Sequence, residues 1–234
     1  MKNTVKRYKV SLSQTEFNIE DSINKVFLKR SKTTLCTLII SLVVNLVVRF
    51  DFVALGGGGV GEMSVTETLQ QILLLVTSLS FAYLAKERCD IKHASVLICA
   101  FFGVLFIREM DFWFDKLTHG AWVYPAMGLA CCAILYAIQN GRRTLEQLAL
   151  ILASPHMNVL IIGLMLLLVF SRLWGMGSFW QGVMGEHYIR DVKNISEEGL
   201  ELLAYCIITF SSLSIVLHLT QNIQAIPTSC SKST

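Results

Sequence analysis

The chain has 234 residues, of which 53% are hydrophobic and only 16% charged, and its mean hydropathy is +0.56. Water-soluble domains of this length are less apolar, so the composition excludes a soluble enzyme, a disordered regulator and a nucleic-acid-binding protein. The formal net charge of +3 is small, and its distribution along the chain is more informative than its sum.

The N-terminal segment, residues 1–32, is mostly polar and precedes the first apolar run. Between Ser13 and Lys32, apolar residues recur at helical spacing behind a Ser13-x-x-Glu16 capping-box pattern. This pattern predicts an amphipathic helix on the cytoplasmic leaflet, and a partly disordered tail is the alternative.

Six segments qualify as membrane-spanning helices, because about 20 mostly apolar residues are needed to cross a hydrocarbon core about 30 Å thick. The third is short, so we expect it to continue through Arg108 and the aromatic residues that follow, to near Leu117. We therefore predict an all-α fold, a polytopic integral membrane bundle with six transmembrane helices in residues 33–220 and a cytoplasmic C-terminal tail at 221–234. The segments are residues 34–52, 65–85, 94–107, 120–138, 157–173 and 199–219.

Three connections between these segments contain sequence patterns that predict local structure. The glycine-rich residues 56–61 predict a flexible turn, since they lack the Lys-Ser/Thr of a phosphate-binding loop. A Thr144-x-x-Gln147 pattern predicts a short interfacial helix that Pro155 ends. The apolar spacing of residues 180–188, after a Ser178-x-x-Gln181 cap, predicts a second interfacial amphipathic helix that covers the outer mouth of the bundle.

Basic residues are concentrated on one side of the predicted bundle. The N-terminal segment, the second and fourth connections and the C-terminal tail hold 14 of the 20 Lys and Arg residues, whereas 11 of the 17 acidic residues fall on the other side. Because cytoplasmic connections are rich in Lys and Arg, we expect both termini in the cytoplasm, in a bacterial inner (plasma) membrane. No cysteine lies in an outer connection, so no structural disulfide is implied.

On this topology the ionisable residues gather near the outer ends of the helices. Charged side chains at such depths are costly to expose to lipid and usually face the bundle interior, paired or hydrated. We therefore expect them to form one polar layer that binds a ligand or an ion. The candidates are Arg49, Glu67, Arg108, Glu109, Asp111, Asp115, His119, Arg172, Glu198, Glu201 and Tyr205.

Two groups of these candidates share a helical face. If the third helix is continuous, Arg108, Asp111, Asp115 and His119 form a stripe about 16 Å long, which would be either a cation site or a ladder of internal ion pairs. Glu198, Glu201 and Tyr205 share a face of the sixth helix, although first-turn acids there would also be explained by the helix dipole.

Glu67 and Glu201 lead to different interpretations. A purely structural role is the alternative for Glu67, because Ser64-x-x-Glu67 is a capping-box pattern. Glu201 and Tyr205 lie deeper than the first predicted turn, so we expect Glu201 to be a proton or cation site with a hydrogen bond near Tyr205.

The cofactor prediction is limited to a possible divalent cation. Only two histidines fall on the outer side, too few for a histidine-rich zinc centre, while oxygen-rich ligation of calcium, magnesium or manganese is chemically reasonable. No nucleophile elbow occurs, so no catalytic residue is assigned. The metal-ligand candidates are Asp111, Asp115, His119, Glu198 and Glu201.

Three functions fit these observations. The first is binding or transport of a cation, a proton or a polar lipid head group in an outward-facing cavity. The second is a membrane-embedded, metal-assisted lipid hydrolase or transferase. The third is a non-enzymatic accessory or immunity protein. The expected partners are the lipid bilayer and either another membrane protein or a second copy of the chain, with no nucleic acid.

The topology makes a direct prediction for reporter fusions. Fusions after Gly59, Thr118 and Met184 should be active only outside the membrane, and fusions after Asp90, Gly141 and Thr228 only inside, because the basic connections are retained in the cytoplasm. A reversed pattern at two or more of these sites would contradict the orientation.

Overall fold

The chain is almost entirely helical in the part that the structure, a computed structural model, describes. The described residues are 2–54, 64–116 and 118–221, with the side chains of 23–28, 30–54, 64–116 and 118–221, and none of them forms a β-strand. The all-α prediction is confirmed. The helices are α1 (Lys2–Ala54), α2 (Val65–Glu87), α3 (Lys92–Glu109), α4 (Asp111–Asp115), α5 (Val123–Gln139), α6 (Arg142–Leu152), α7 (Met157–Met165), α8 (Ser171–Gly175), α9 (Gly177–Met184) and α10 (Arg190–Gln221).

Five helical stretches in the described residues are long and apolar enough to cross a membrane. A sixth is obtained when α5 and α6, which are bent by 107° relative to each other, are counted as one broken span. By length and composition the chain is therefore a membrane-type bundle with five or six spans. The five stretches are Ile23–Ala54, Val65–Glu87, Cys89–Glu109, Met157–Gly175 and Arg190–Gln221.

The chain divides into two compact units, Met1–Val43 and Val44–Thr234. The described backbone of the first unit belongs to α1, which is uninterrupted, so it has no boundary between the predicted amphipathic helix and the first span. The side chains of residues 1–22, which carry part of that amphipathic pattern, lie outside the described residues, as do the glycine-rich turn at 56–61 and the tail at 222–234.

The second unit is built around α2, with α3 and α10 packed along it. Leu74, Phe81 and Leu84 of α2 are fully buried, and the Phe81 ring stacks on Phe102 of α3 with 5.9 Å between centroids. On α10, the hydroxyl of Thr209 lies 3.0 Å from that of Thr77. Close packing and interhelical hydrogen bonds hold membrane helices together, so these contacts keep the ends of α2, α3 and α10 adjacent.

Two side chains cap the N-terminus of α2. The Ser64 hydroxyl accepts the N–H of Glu67 at 3.1 Å, as the capping-box pattern predicts. Asp51 of α1 is buried and accepts the N–H groups of Val65 at 3.0 Å and Thr66 at 2.7 Å, together with the Thr66 hydroxyl. The first four N–H groups of a helix lack internal partners, so this carboxylate ties the end of α1 to the start of α2.

The helix predicted after Thr144-x-x-Gln147 is present as α6, but its cap differs from the prediction. The Thr144 hydroxyl donates to the Ala137 carbonyl at 2.7 Å instead of capping its own helix. The bend before α6 depends on Gly141, whose φ of 52° is readily adopted by glycine. Gln147 accepts the N–H groups of His93 at 3.0 Å and Ala94 at 3.2 Å, so α6 caps α3.

The expected continuation of the third span to Leu117 is wrong. Helix α3 ends at Glu109, where the Met110 N–H donates to the carbonyls of Phe106 and Ile107 in a tightened last turn. Asp111 then accepts the Phe112 N–H at 2.6 Å and starts the separate helix α4. A short carboxylate that bonds its neighbouring backbone competes with helix continuation, which explains the break.

Two further expectations need correction. Helix α9 overlaps the predicted amphipathic segment 180–188 but ends at Met184, and Gly185–His187 form a separate turn. Met176 precedes α9 and no side chain caps it, so Ser178 is not its cap. Helix α10 begins at Arg190 rather than Gly199 and is therefore much longer than the apolar segment that predicted it. Its additional polar turns form one wall of the cavity described below.

Replacing Asp51 with alanine should lower the free energy of unfolding by about 1–3 kcal/mol, because the N–H groups of Val65 and Thr66 and the Thr66 hydroxyl lose a charged acceptor. The measurement is thermal unfolding of the purified protein in detergent. Glu186→Ala, at an exposed residue, is the control. An unchanged unfolding temperature for Asp51→Ala would show that this cap does not stabilise the bundle.

Candidate ligand-binding cavity

A polar cavity of about 560 Å³ opens where α3 ends and α10 begins. Its walls come from α2, α3, α4 and α10. Thirteen of its fourteen lining residues are charged or carry a side-chain amide, so the cavity is lined for a polar ligand. They are Glu67, Gln70, Gln71, Arg108, Glu109, Asp111, Asp115, Arg190, Lys193, Asn194, Glu197, Glu198 and Glu201, with Phe112 as the fourteenth.

The early start of α10 creates the largest wall. Residues at spacings of three and four share one helical face, and the lining residues of α10 follow this spacing from Arg190 through Lys193, Asn194 and Glu197 to Glu201. The acid in the first turn of this helix is Asp191. Glu197 and Glu198 lie well past that turn, so the helix dipole does not explain them, contrary to the alternative considered from the sequence.

Hydrogen bonds between side chains and neighbouring helices close the floor of the cavity. The buried Tyr205 hydroxyl donates to Glu109 Oε1 at 2.8 Å and links α10 to α3. Gln71 Nε2 donates to the Glu109 carbonyl at 3.0 Å, and Gln70 Nε2 donates to Glu198 Oε2 at 2.9 Å. Tyr205 therefore bonds Glu109, and the hydrogen bond expected for Glu201 near Tyr205 is not formed among the described residues.

The break at Met110 divides the predicted stripe of charges in two. Arg108 lies 3.8 Å from Glu109, its nearest carboxylate partner. Asp115, on α4, pairs with His119 Nδ1 at 2.9 Å and accepts the Gly120 N–H at 2.8 Å. The continuous 16 Å ladder of ion pairs predicted for a straight helix is therefore absent from these residues.

One more ion pair lies in the upper part of the cavity. Lys193 Nζ is 2.7 Å from Glu197 Oε2. The Glu197 carboxylate packs over Gly175 of α8, where an added Cβ would clash with Glu197 Oε1. Glycine at this position leaves the room that the Lys193–Glu197 pair occupies.

The cavity carries more negative than positive charge. Seven carboxylates and three cationic side chains line it. Within the described residues, Glu201 and Arg190 make no hydrogen bond or ion pair, whereas Glu198, Glu109 and Glu197 each have a partner. The charges not satisfied internally therefore include one carboxylate on the wall near the floor and one guanidinium at the start of α10.

The structure brings most of the sequence candidates together. Seven of the eleven line the cavity: Glu67, Arg108, Glu109, Asp111, Asp115, Glu198 and Glu201. Tyr205 supports the floor, and His119 is joined to the cavity through Asp115. Arg49 and Arg172 are exposed and do not line it.

Sequence reasoning missed three residues of the α10 wall, Arg190, Lys193 and Asn194. They precede the apolar segment 199–219, so hydropathy alone places them in the connection before the sixth span. Their spacing from Glu197 and Glu201 is helical, and that periodicity was the signal that could have found them.

The described residues contain no group of three or more His, Cys, Asp or Glu side chains placed to hold a metal ion. The predicted ligands Asp111, Asp115, His119, Glu198 and Glu201 therefore do not form a divalent-cation centre in this arrangement. Instead, the carboxylates are dispersed around a space large enough for an organic ligand.

Comparison with known proteins finds no matching family, no related characterised protein and no similar solved structure.

Replacing Tyr205 with phenylalanine should lower the free energy of unfolding by about 1–3 kcal/mol, because the Glu109 carboxylate loses its hydroxyl donor at the floor. Thermal unfolding in detergent measures the effect, with Tyr124→Phe, at an 80% exposed tyrosine, as the control. Adding Glu109→Gln should recover part of the loss, since the charge that has lost its hydroxyl donor is then removed. Equal unfolding temperatures for Tyr205→Phe and Tyr124→Phe would contradict the role of this bond.

Proposed function

We propose that this chain is a multi-pass membrane protein whose polar cavity binds a small ligand with a positively charged amine, as a binding or transport protein. The observation that carries the proposal is Glu201, a partly buried carboxylate that lies in a cavity with excess negative charge and makes no hydrogen bond or ion pair with any described residue.

An unpaired carboxylate at this position is energetically unfavourable. Glu201 belongs to a helix apolar enough to span a membrane, and charges in such helices are normally paired or hydrated. The neighbouring Glu198 is held by Gln70, and Glu109 is held by Tyr205, so neither is equally available. An ammonium group would supply Glu201 with both an opposite charge and hydrogen-bond donors.

The size of the cavity favours an organic cation over a proton. Small-molecule sites commonly have volumes of about 300–1,000 Å³, and this cavity has about 560 Å³. Protonation would neutralise Glu201 without requiring such a space. A metal ion is disfavoured because its ligands must converge, and the described carboxylates do not.

The distribution of basic residues supports an orientation for this site. With 14 of 20 Lys and Arg residues on the side of both termini, we place the termini in the cytoplasm and the cavity on the outer face of a bacterial inner membrane. The ligand would then be captured from outside the cell or from the outer leaflet.

The enzymatic alternative is favoured by one feature, the Asp115–His119 pair, which resembles the oriented imidazole of a general base. However, the His119 side chain is 98% exposed, and no Ser, Thr or Cys is among the described residues that line the cavity. The site therefore supports binding better than hydrolysis or group transfer by a side-chain nucleophile.

Glu201→Gln should weaken the binding of ethanolamine about ten- to a hundredfold, because a charge-assisted hydrogen bond contributes roughly 1.5–3 kcal/mol. Glutamine keeps the shape of the side chain and removes its charge, so the unfolding temperature should stay within about 2 °C of the parent. Isothermal titration of the protein in nanodiscs measures the affinity.

The matched control is Glu186→Gln, at an exposed glutamate that does not line the cavity. It should bind ethanolamine as the parent does. If the parent shows no binding, or if Glu201→Gln and Glu186→Gln bind equally well, the proposed amine site is wrong.

A further inference from the structure

The cations that line the cavity differ in how well they are paired. Lys193 is held by Glu197 at 2.7 Å, and Arg108 lies beside Glu109 at 3.8 Å. Arg190 lines the same cavity, is exposed, and has neither an ion pair nor a side-chain hydrogen bond with any described residue. The free guanidinium is the positive counterpart of the free carboxylate at Glu201.

Both groups lie on one wall. Arg190 and Glu201 share the cavity face of α10 and are separated by eleven residues, about 16 Å along the helix axis. Arg190 is the first residue of that helix and exposed, whereas Glu201 is partly buried beside the floor residues. The cavity is therefore polarised along its depth, with a free negative group inside and a free positive group at its mouth.

A simple cation would use only part of this arrangement. An ammonium group entering the cavity passes Arg190, which repels it, and binds near Glu201, which attracts it. A guanidinium presents a planar fork of donors that matches the two oxygens of a phosphate or carboxylate. A ligand that carries both an ammonium and an oxyanion offers an opposite charge to each of Glu201 and Arg190.

The other charged groups at the mouth are consistent with this assignment. The Asp115 carboxylate is already hydrogen-bonded to His119 and to the Gly120 N–H. Asp111 is exposed and accepts only the N–H of Phe112 among the described residues. The oxyanion would therefore bind on the α10 wall, at Arg190, rather than beside Asp111 of α4.

We propose that the ligand is a zwitterion, with its ammonium group bound by Glu201 and its phosphate or carboxylate group bound by Arg190. This inference rests on the proposed amine-binding function and adds the second half of the ligand. The same chemistry is found in the phosphoethanolamine head group of a lipid and in free small zwitterions, so the test below separates these sources.

The test compares two soluble probes, ethanolamine and glycerophosphoethanolamine, on the full-length protein in phosphatidylcholine nanodiscs. The parent should bind the zwitterion at least about tenfold more tightly than ethanolamine, since the guanidinium adds a charge-assisted contact. Arg190→Gln should lower the affinity for the zwitterion about tenfold or more, because the oxyanion loses its guanidinium partner. It should raise the affinity for ethanolamine, because a repelling charge is lost. Glu201→Gln should lower the affinity for both probes.

The control is Arg49→Gln, at an exposed arginine that does not line the cavity, and it should bind both probes as the parent does. If Arg190→Gln leaves the ratio of the two affinities unchanged, the zwitterion assignment is wrong. The amine site would still be supported if Glu201→Gln lowers the affinity for ethanolamine. If Glu201→Gln lowers the affinity for neither probe, both the zwitterion assignment and the proposed function are wrong.

A second arm identifies the source of the ligand. Phosphatidylethanolamine is added to the nanodiscs as a competitor, because its head group offers N–H donors that the quaternary amine of phosphatidylcholine lacks. Weaker apparent binding of glycerophosphoethanolamine to the parent, but not to Arg190→Gln, would support a lipid head group. Unchanged tight binding would support a free zwitterion.

Discussion

The hydrogen bonds at the cavity floor join the three helices that carry most of the charged groups of the site. The hydrogen bond from Tyr205 to Glu109 joins α10 to α3, and the hydrogen bond from Gln70 to Glu198 joins α2 to α10. These bonds form between partly or fully buried groups, where an unsatisfied partner would cost far more than it would in water. Below them the three helices pack through apolar side chains such as Phe81 and Phe102, and above them the walls separate to form the cavity.

The separation of the walls follows from one local event. Because α3 stops at Glu109, the polar residues that follow are carried by α4, while α10 continues upward to Arg190. The cavity thus has one long, regular wall and one short, re-aimed wall. The ion pairs form within the walls, as between Lys193 and Glu197 or Asp115 and His119, so the space between the walls is left for a ligand.

Much of the architecture could be predicted because the bilayer imposes a simple length and polarity rule on each helix. The apolar runs that became α2, α7 and most of α10 were recognised for this reason, and the Ser64 capping box located the start of α2. The same rule misjudged α10, since polar residues outside an apolar run carry no hydropathy signal. It also misjudged α3, because the hydrogen bond from the Phe112 N–H to Asp111 that competes with the helix does not change the hydropathy averaged over a sequence window.

The helical class, the apolar spans and the residue types of the polar layer follow from composition and from periodicity along one chain, so they could be predicted before the fold was known. Which charges are paired depends on how the helices pack. Tyr205 is four residues from Glu201 yet bonds Glu109, which is 96 positions away in sequence. Pairing depends on side-chain distances between different helices, which sequence periodicity does not encode. For that reason the free carboxylate of Glu201 and the free guanidinium of Arg190, on which the binding proposals rest, were identified only when the helices were seen together.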